Sequence, residues 1–132
     1  MARVQRRTRP TRQRPVFRIF EIDACLIDLQ RAARLFFNDG AVREVRVLNA
    51  VDRTLGVVAG YFNDVDMMVD AVIDTDQLGG NVYVTLNPVR PGLLDRVPNR
   101  LEPRRRRLTK DVDVVALAWL PIDCDPERPS NI

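Results

Sequence analysis

Between residues 21 and 37 the apolar side chains Ile22, Cys25, Leu26, Leu29, Ala33 and Phe36 recur every three or four positions, which predicts an amphipathic helix. Asn38, Asp39 and Gly40 stop it. Residues 42–48 alternate, with Val45 and Val47 on one face and Glu44 and Arg46 on the other, the pattern of a half-buried strand. A polar turn over residues 49–54 leads to a second strand at 55–62, so the two are expected to form an antiparallel hairpin. Asn63 or Asp64 is placed to cap a helix over residues 63–77 whose buried face is Val65, Met68, Val69, Val72 and Ile73. Gly79 and Gly80 end it, and Val82, Val84 and Leu86 mark a third strand over 81–87. Beyond Pro88 and Pro91 the pattern lapses into a helical turn at Leu93 and Leu94 and a long basic loop to residue 110. A short helix or turn at 111–117 then leads to a final apolar strand at 118–124. The order helix, strand, strand, helix, strand, loop, strand predicts an α+β domain, a mixed sheet with flanking helices.

Charge divides the chain into two parts. Residues 1–18 carry seven arginines, no acid and two prolines, too little apolar surface to offset the entropy of ordering, so a disordered basic arm is expected before a single domain over 19–132. A solvated tail and a nucleic-acid contact both suit that arm; a transit peptide suits it less, since serine and an apolar helical face are lacking. A second basic cluster runs through Arg96, Arg100, Arg104, Arg105, Arg106, Arg107 and Lys110. The net charge is only +3, but its concentration favours a polyanionic partner.

Composition narrows the chemistry. No apolar run approaches the roughly 18 to 20 residues of a membrane span, and the Arg-rich start has no signal-peptide core, so a cytoplasmic protein without a membrane is expected. Cys25 and Cys124 stand alone and are expected to be buried free thiols. The sequence contains no histidine. Histidine-based triads, dyads and metal sites are therefore excluded from this chain, leaving carboxylates, Arg/Lys or a bound metal ion.

The pattern Asp-x-Asp occurs four times, at Asp64/Asp66, Asp74/Asp76, Asp111/Asp113 and Asp123/Asp125. Side chains two apart diverge on a helix and share a face on a strand. The first two pairs flank a predicted helix and the third opens a turn, so capping is expected of them. Asp123 and Asp125 close the predicted strand Trp119-Leu120-Pro121-Ile122, with Cys124 turned to the core. Two carboxylates so placed repel each other unless a cation joins them, and Mg²⁺ or Mn²⁺ suits such hard oxygen donors. A polar loop after a buried strand is the other reading of the same residues.

Trp119-Leu120-Pro121-Ile122-Asp123-Cys124-Asp125-Pro126, followed by Arg128-Pro129, resembles the first catalytic motif of the archaeo-eukaryotic primase superfamily, in particular the primase/polymerase domains of phage and plasmid primase-helicase proteins. The likeness extends through Val42-Arg43-Glu44-Val45-Arg46-Val47-Leu48, Gly60-Tyr61-Phe62, residues 81–89 and Asn99-Arg100-Leu101, covering roughly residues 22–130. It implies the front part of a primase/polymerase catalytic core, with Asp123 and Asp125 as catalytic metal ligands for Mg²⁺ or Mn²⁺. It also implies DNA template, primer and nucleoside triphosphates as partners, with a helicase domain or protein alongside. Arg104, Arg105, Arg106, Arg107 and Lys110 are the expected nucleic-acid contacts. The family's downstream histidine and later aspartate have no counterpart here, so the chain is expected to be a fragment cut after the first metal motif and inactive alone. Lys110 and Cys124 also depart from the family pattern. A non-catalytic nucleic-acid-binding module is the alternative, and a sugar-nucleotide transferase, which has no use for the arginine clusters, is a third. Tyr61, Phe62 and Tyr83 suit either the core or base stacking.

Overall fold

The computed structural model describes residues 18–124, and the side chains of residues 26–124 apart from Asp76. The expected basic arm, apart from Arg18, and Asp125 lie outside the described residues, as does the side chain of Cys25. The elements are α1 (Arg18–Phe37), β1 (Arg43–Leu48), β2 (Val58–Phe62), α2 (Val65–Asp74) and β3 (Asn81–Val84). This is a small α+β fold. Among the described residues no helix is long and apolar enough to cross a membrane.

The three strands are ordered β2-β1-β3, and both pairings are antiparallel. The sheet is therefore antiparallel rather than mixed; the one parallel contact is an isolated bridge between Tyr61 and Pro98. Because β1 pairs antiparallel to both neighbours, β2 and β3 run the same way, and α2 carries the chain across β1 as the crossover of a split βαβ unit. Asp64 starts α2 as expected, its Oδ1 accepting from the amides of Asp66 (2.9 Å) and Met67 (3.0 Å). The helix ends at Asp74 and tightens into a 3₁₀ turn over Thr75–Leu78, where the Thr75 hydroxyl donates to the Val72 carbonyl. The second strand begins at Val58 rather than residue 55, because Asp52 caps a 3₁₀ turn over Arg53–Leu55 and Gly56 leaves it at φ 57°.

One sheet face meets the helices. Val45 and Phe62 pack there with Ala33 of α1 and Met68 and Val69 of α2, joined at the margin by Leu29, Phe37, Val72 and Val84. A second core joins Val42, Tyr61, Val89, Leu93 and Val97. The alternation in β1 predicts one wet face, yet Glu44, which it assigns to that face, is 1% exposed. The reason is topological: β1 is the central strand, and chain from residues 85 to 114 covers the side that periodicity assigns to solvent. Arg43 is satisfied by both Asp39 oxygens (2.6 and 2.8 Å) and lies 5.0 Å from the Phe37 ring centroid.

The final strand predicted at residues 118–124 does not form. The segment is extended, but Pro121 has no N–H to donate and no described strand pairs with it. Leu120 and Ile122 are exposed, and so is Cys124, contrary to its expected burial.

Candidate functional site

On the side of the sheet away from α1 and α2 the first functional group is a buried carboxylate. Glu44 Oε1 accepts from Arg46 Nε at 2.6 Å, while Oε2 accepts from the Tyr61 hydroxyl (3.2 Å) and the Thr109 amide (2.5 Å). Backbone pairing fixes this arrangement: Tyr61 is the β2 partner of Glu44, and the Glu44 amide donates to Thr85 Oγ1. Burial alone would raise the Glu44 carboxyl. Hydrogen bonds from Arg46 and Thr109, with the positive charge of Arg46, outweigh it and hold the group below its ordinary value. Beside it opens a cleft of about 340 Å³, lined by Arg46, Tyr83, Thr85, Thr109, Lys110 and Asp111 among others.

A lowered folded value means that the unfolded chain binds the proton more readily, so Glu44 stabilises the fold above its ordinary value of 4.5 and that contribution is lost as pH falls through the folded value. Asp39, held at about 2 by the Arg43 guanidinium, acts in the same direction, though half its side chain is exposed and screening reduces its share. Thermal melts should be level above about pH 5 and fall steadily below it. Glu44→Gln should lose about 2–3 kcal/mol at pH 7, since the amide cannot accept from all three donors and one face of Arg46 is left unpaired. Melts of both proteins from pH 3 to 7 check this, the variant showing the shallower dependence.

The expected arginine loop is ordered along the outer edge of β2. Ala59 and Glu102 exchange both backbone hydrogen bonds at 3.0 Å, and the amides of Arg104 and Arg105 donate to the carbonyls of Leu55 and Val57. Glu102 takes up two of the loop's cations, Arg100 at 2.8 Å and Arg105 at 3.3 Å. Arg104, at φ 57°, donates through Nε to the Thr54 carbonyl. Arg106 and Arg107 are exposed and meet no acceptor among the described residues, and neither does the Lys110 ammonium. Of the five predicted contacts, these three keep their cations free for a polyanion.

The acidic segment is tied down just before its aspartates. The Asn87 side chain accepts from the Trp119 amide (2.8 Å) and donates to the Trp119 carbonyl (3.0 Å). The indole donates to the Phe36 carbonyl at 3.2 Å and meets the Phe36 ring edge-on at 4.9 Å. Asp123 follows as an exposed carboxylate with no cationic partner among the described residues. Its hard oxygens suit Mg²⁺ or Mn²⁺, although no group of three or more metal-ligating side chains occurs among the described residues. Two of the other Asp-x-Asp pairs have structural work: Asp64 caps α2, Asp66 faces Arg34, and Asp113 accepts from the Lys110 amide; Asp74 ends α2 with an exposed side chain, and the Asp76 side chain lies outside the described residues. A larger groove of about 530 Å³ between α2 and residues 99–103 is walled mainly by apolar side chains and lies apart from this face.

Sequence reasoning missed the Glu44 network and the Asn87–Trp119 clamp. The Glu44-x-Arg46 spacing on a strand was the available signal for the first; nothing local marked the second. No protein-family model matches this sequence, and no curated protein or solved structure matches it.

Proposed function

We propose that this chain belongs to a primase/polymerase catalytic domain that carries out template-directed nucleotidyl transfer on DNA, with Asp123 and Asp125 as divalent-metal ligands. The observation that carries the reading is that segments of the resemblance far apart in sequence interlock in the fold. Asn87 clamps Trp119 from 32 residues away. Gly60-Tyr61-Phe62 adjoins the Asn99-Arg100-Leu101 segment, the Tyr61 carbonyl accepting from the Asn99 amide at 2.7 Å. Asn63 and Asn99 exchange hydrogen bonds beyond it, at 3.1 and 2.9 Å.

In this reading Trp119 fixes the root of the acidic segment, and Arg106, Arg107 and Lys110 hold DNA phosphates without regard to sequence. A divalent ion bound by Asp123 and Asp125 would activate a primer 3′-hydroxyl and neutralise the leaving pyrophosphate. The histidine implied by the resemblance is absent from the sequence. A cytoplasmic setting and a helicase partner belong to the same proposal.

Primer extension by the longest product of the gene, with Mg²⁺ or Mn²⁺ and deoxynucleotides, tests the activity. Metal-dependent synthesis that EDTA abolishes supports it, and none under any metal refutes it. The free cations of Arg106 and Arg107 also favour a second reading, a nucleic-acid-binding module without catalysis. In both cases the Arg106→Ala/Arg107→Ala double variant should weaken binding of all duplex sequences alike. Its plot of log affinity against log salt should flatten by about 1.8, as expected for two lost phosphate contacts. Anisotropy titrations at several salt concentrations measure this directly.

A further inference from the structure

The cleft beside Glu44 holds an aromatic ring that the fold itself does not use and a cation whose terminal nitrogens meet no acceptor among the described residues. Tyr83 is the β3 partner of Arg46, so both side chains emerge on the sheet face away from α1 and α2. The ring is 54% exposed, belongs to neither apolar core, and its hydroxyl makes no hydrogen bond among the described residues. Tyr61 differs on each count, being 2% exposed with its hydroxyl on Glu44.

Arg46 is held in place from below. Its Nε is fixed on Glu44, which Tyr61 and Thr109 fix in turn, while no acceptor among the described residues reaches its two terminal nitrogens. A guanidinium ordered in advance, with its outer edge free, takes an anion at little further entropic cost. Lys110 adds a second cation to the wall, and Asp111 a carboxylate. The cavity, at about 340 Å³, is within the range that accommodates one small organic group.

We propose that this cleft seats one nucleotide of single-stranded DNA, its base stacked on the Tyr83 ring and its phosphate held by Arg46 and Lys110. The inference rests on the nucleic-acid-binding reading above and names a contact within it. A duplex does not meet the requirement, because its base faces are already stacked; an unpaired base exposes the face that an aromatic side chain needs. Asp111 sets a sign: its charge opposes the phosphate, so removing it should strengthen binding.

The experiment uses the chain itself, with labelled oligo(dT) of about 12 nucleotides and an abasic strand of the same length. Tyr83→Ala should weaken oligo(dT) binding about tenfold, and Tyr83→Phe should stay within about twofold of the parent, since the ring and not the hydroxyl makes the contact. Abasic-strand binding should be the same for parent and Tyr83→Ala, while Asp111→Asn should tighten both strands. Unchanged oligo(dT) affinity in Tyr83→Ala overturns the proposal, as does an equal loss on both strands, which would point to damage of the fold. Displacement of oligo(dT) by free dTTP that depends on Tyr83 would assign the seat to a free nucleotide and overturn the strand assignment. If the parent chain binds neither strand, the nucleic-acid reading fails as a whole; if it binds and Tyr83 is irrelevant, only this inference fails.

Discussion

Replacing Asp123 and Asp125 together by asparagine is expected to leave primer–template affinity unchanged and to reduce DNA synthesis by about a thousandfold or more, equivalent to about 4 kcal/mol of transition-state stabilisation. Asparagine keeps the shape of the side chain but removes the two charges that would balance a divalent ion. The Asp123 side chain is exposed and takes part in no ion pair or hydrogen bond among the described residues, so its replacement should not cost fold stability; a thermal melt of the double variant checks the pair. DNA affinity should persist because the cations of Arg106 and Arg107, which meet no acceptor among the described residues, are untouched by the substitutions. The assay is primer extension beside anisotropy, both on the longest gene product. Loss of synthesis with binding retained supports the polymerase, and unchanged synthesis refutes the assignment of these residues. If the parent makes no DNA at all, the binding module becomes the better account.

Gly60→Ala is expected to have the largest effect on stability. An added Cβ would stand 1.7 Å from the Arg100 carbonyl oxygen and 2.8 Å from its carbon, a clash with backbone rather than with a flexible side chain. The crossing segment cannot easily withdraw. The Asn99 amide holds it to the Tyr61 carbonyl at 2.7 Å on one side, and the Glu102–Ala59 pair holds it at 3.0 Å on the other. Relief therefore means breaking part of the edge that carries the arginine loop. A cost of about 3 kcal/mol or more follows, a large fraction of the 5–15 kcal/mol typical of a domain. The melting temperature should fall by about 12 °C or more. Gly92→Ala is the control, since nothing lies within 4 Å of the Cβ it would add. Equal melting temperatures for the two variants would contradict the close crossing at Gly60.

These two cases show what can and cannot be read from residues in order. The helix ending at Phe37, the Asp64 cap and the β1–β2 hairpin follow from local rules, because periodicity and capping are set by neighbours a few positions away. The need for glycine at position 60 comes from a carbonyl 40 residues later, and no local rule reports it. Glu44 was misread for a related reason: alternation identifies two faces of a strand but not how many are covered. The apolar run at 118–124 illustrates the reverse limit. Its composition suits a strand, yet a strand exists only where a partner supplies donors and acceptors, and here Trp119 is secured by Asn87 and Phe36 instead. The attachment of the acidic segment through Asn87 had no local signal in the sequence.

The most direct test is to locate the ion. Crystals of the longest gene product grown with Mn²⁺ and a nucleoside triphosphate should show an anomalous peak about 2.1–2.2 Å from a carboxylate oxygen of both Asp123 and Asp125. Carboxylates splayed to opposite sides of the backbone, with manganese bound elsewhere, would contradict the account.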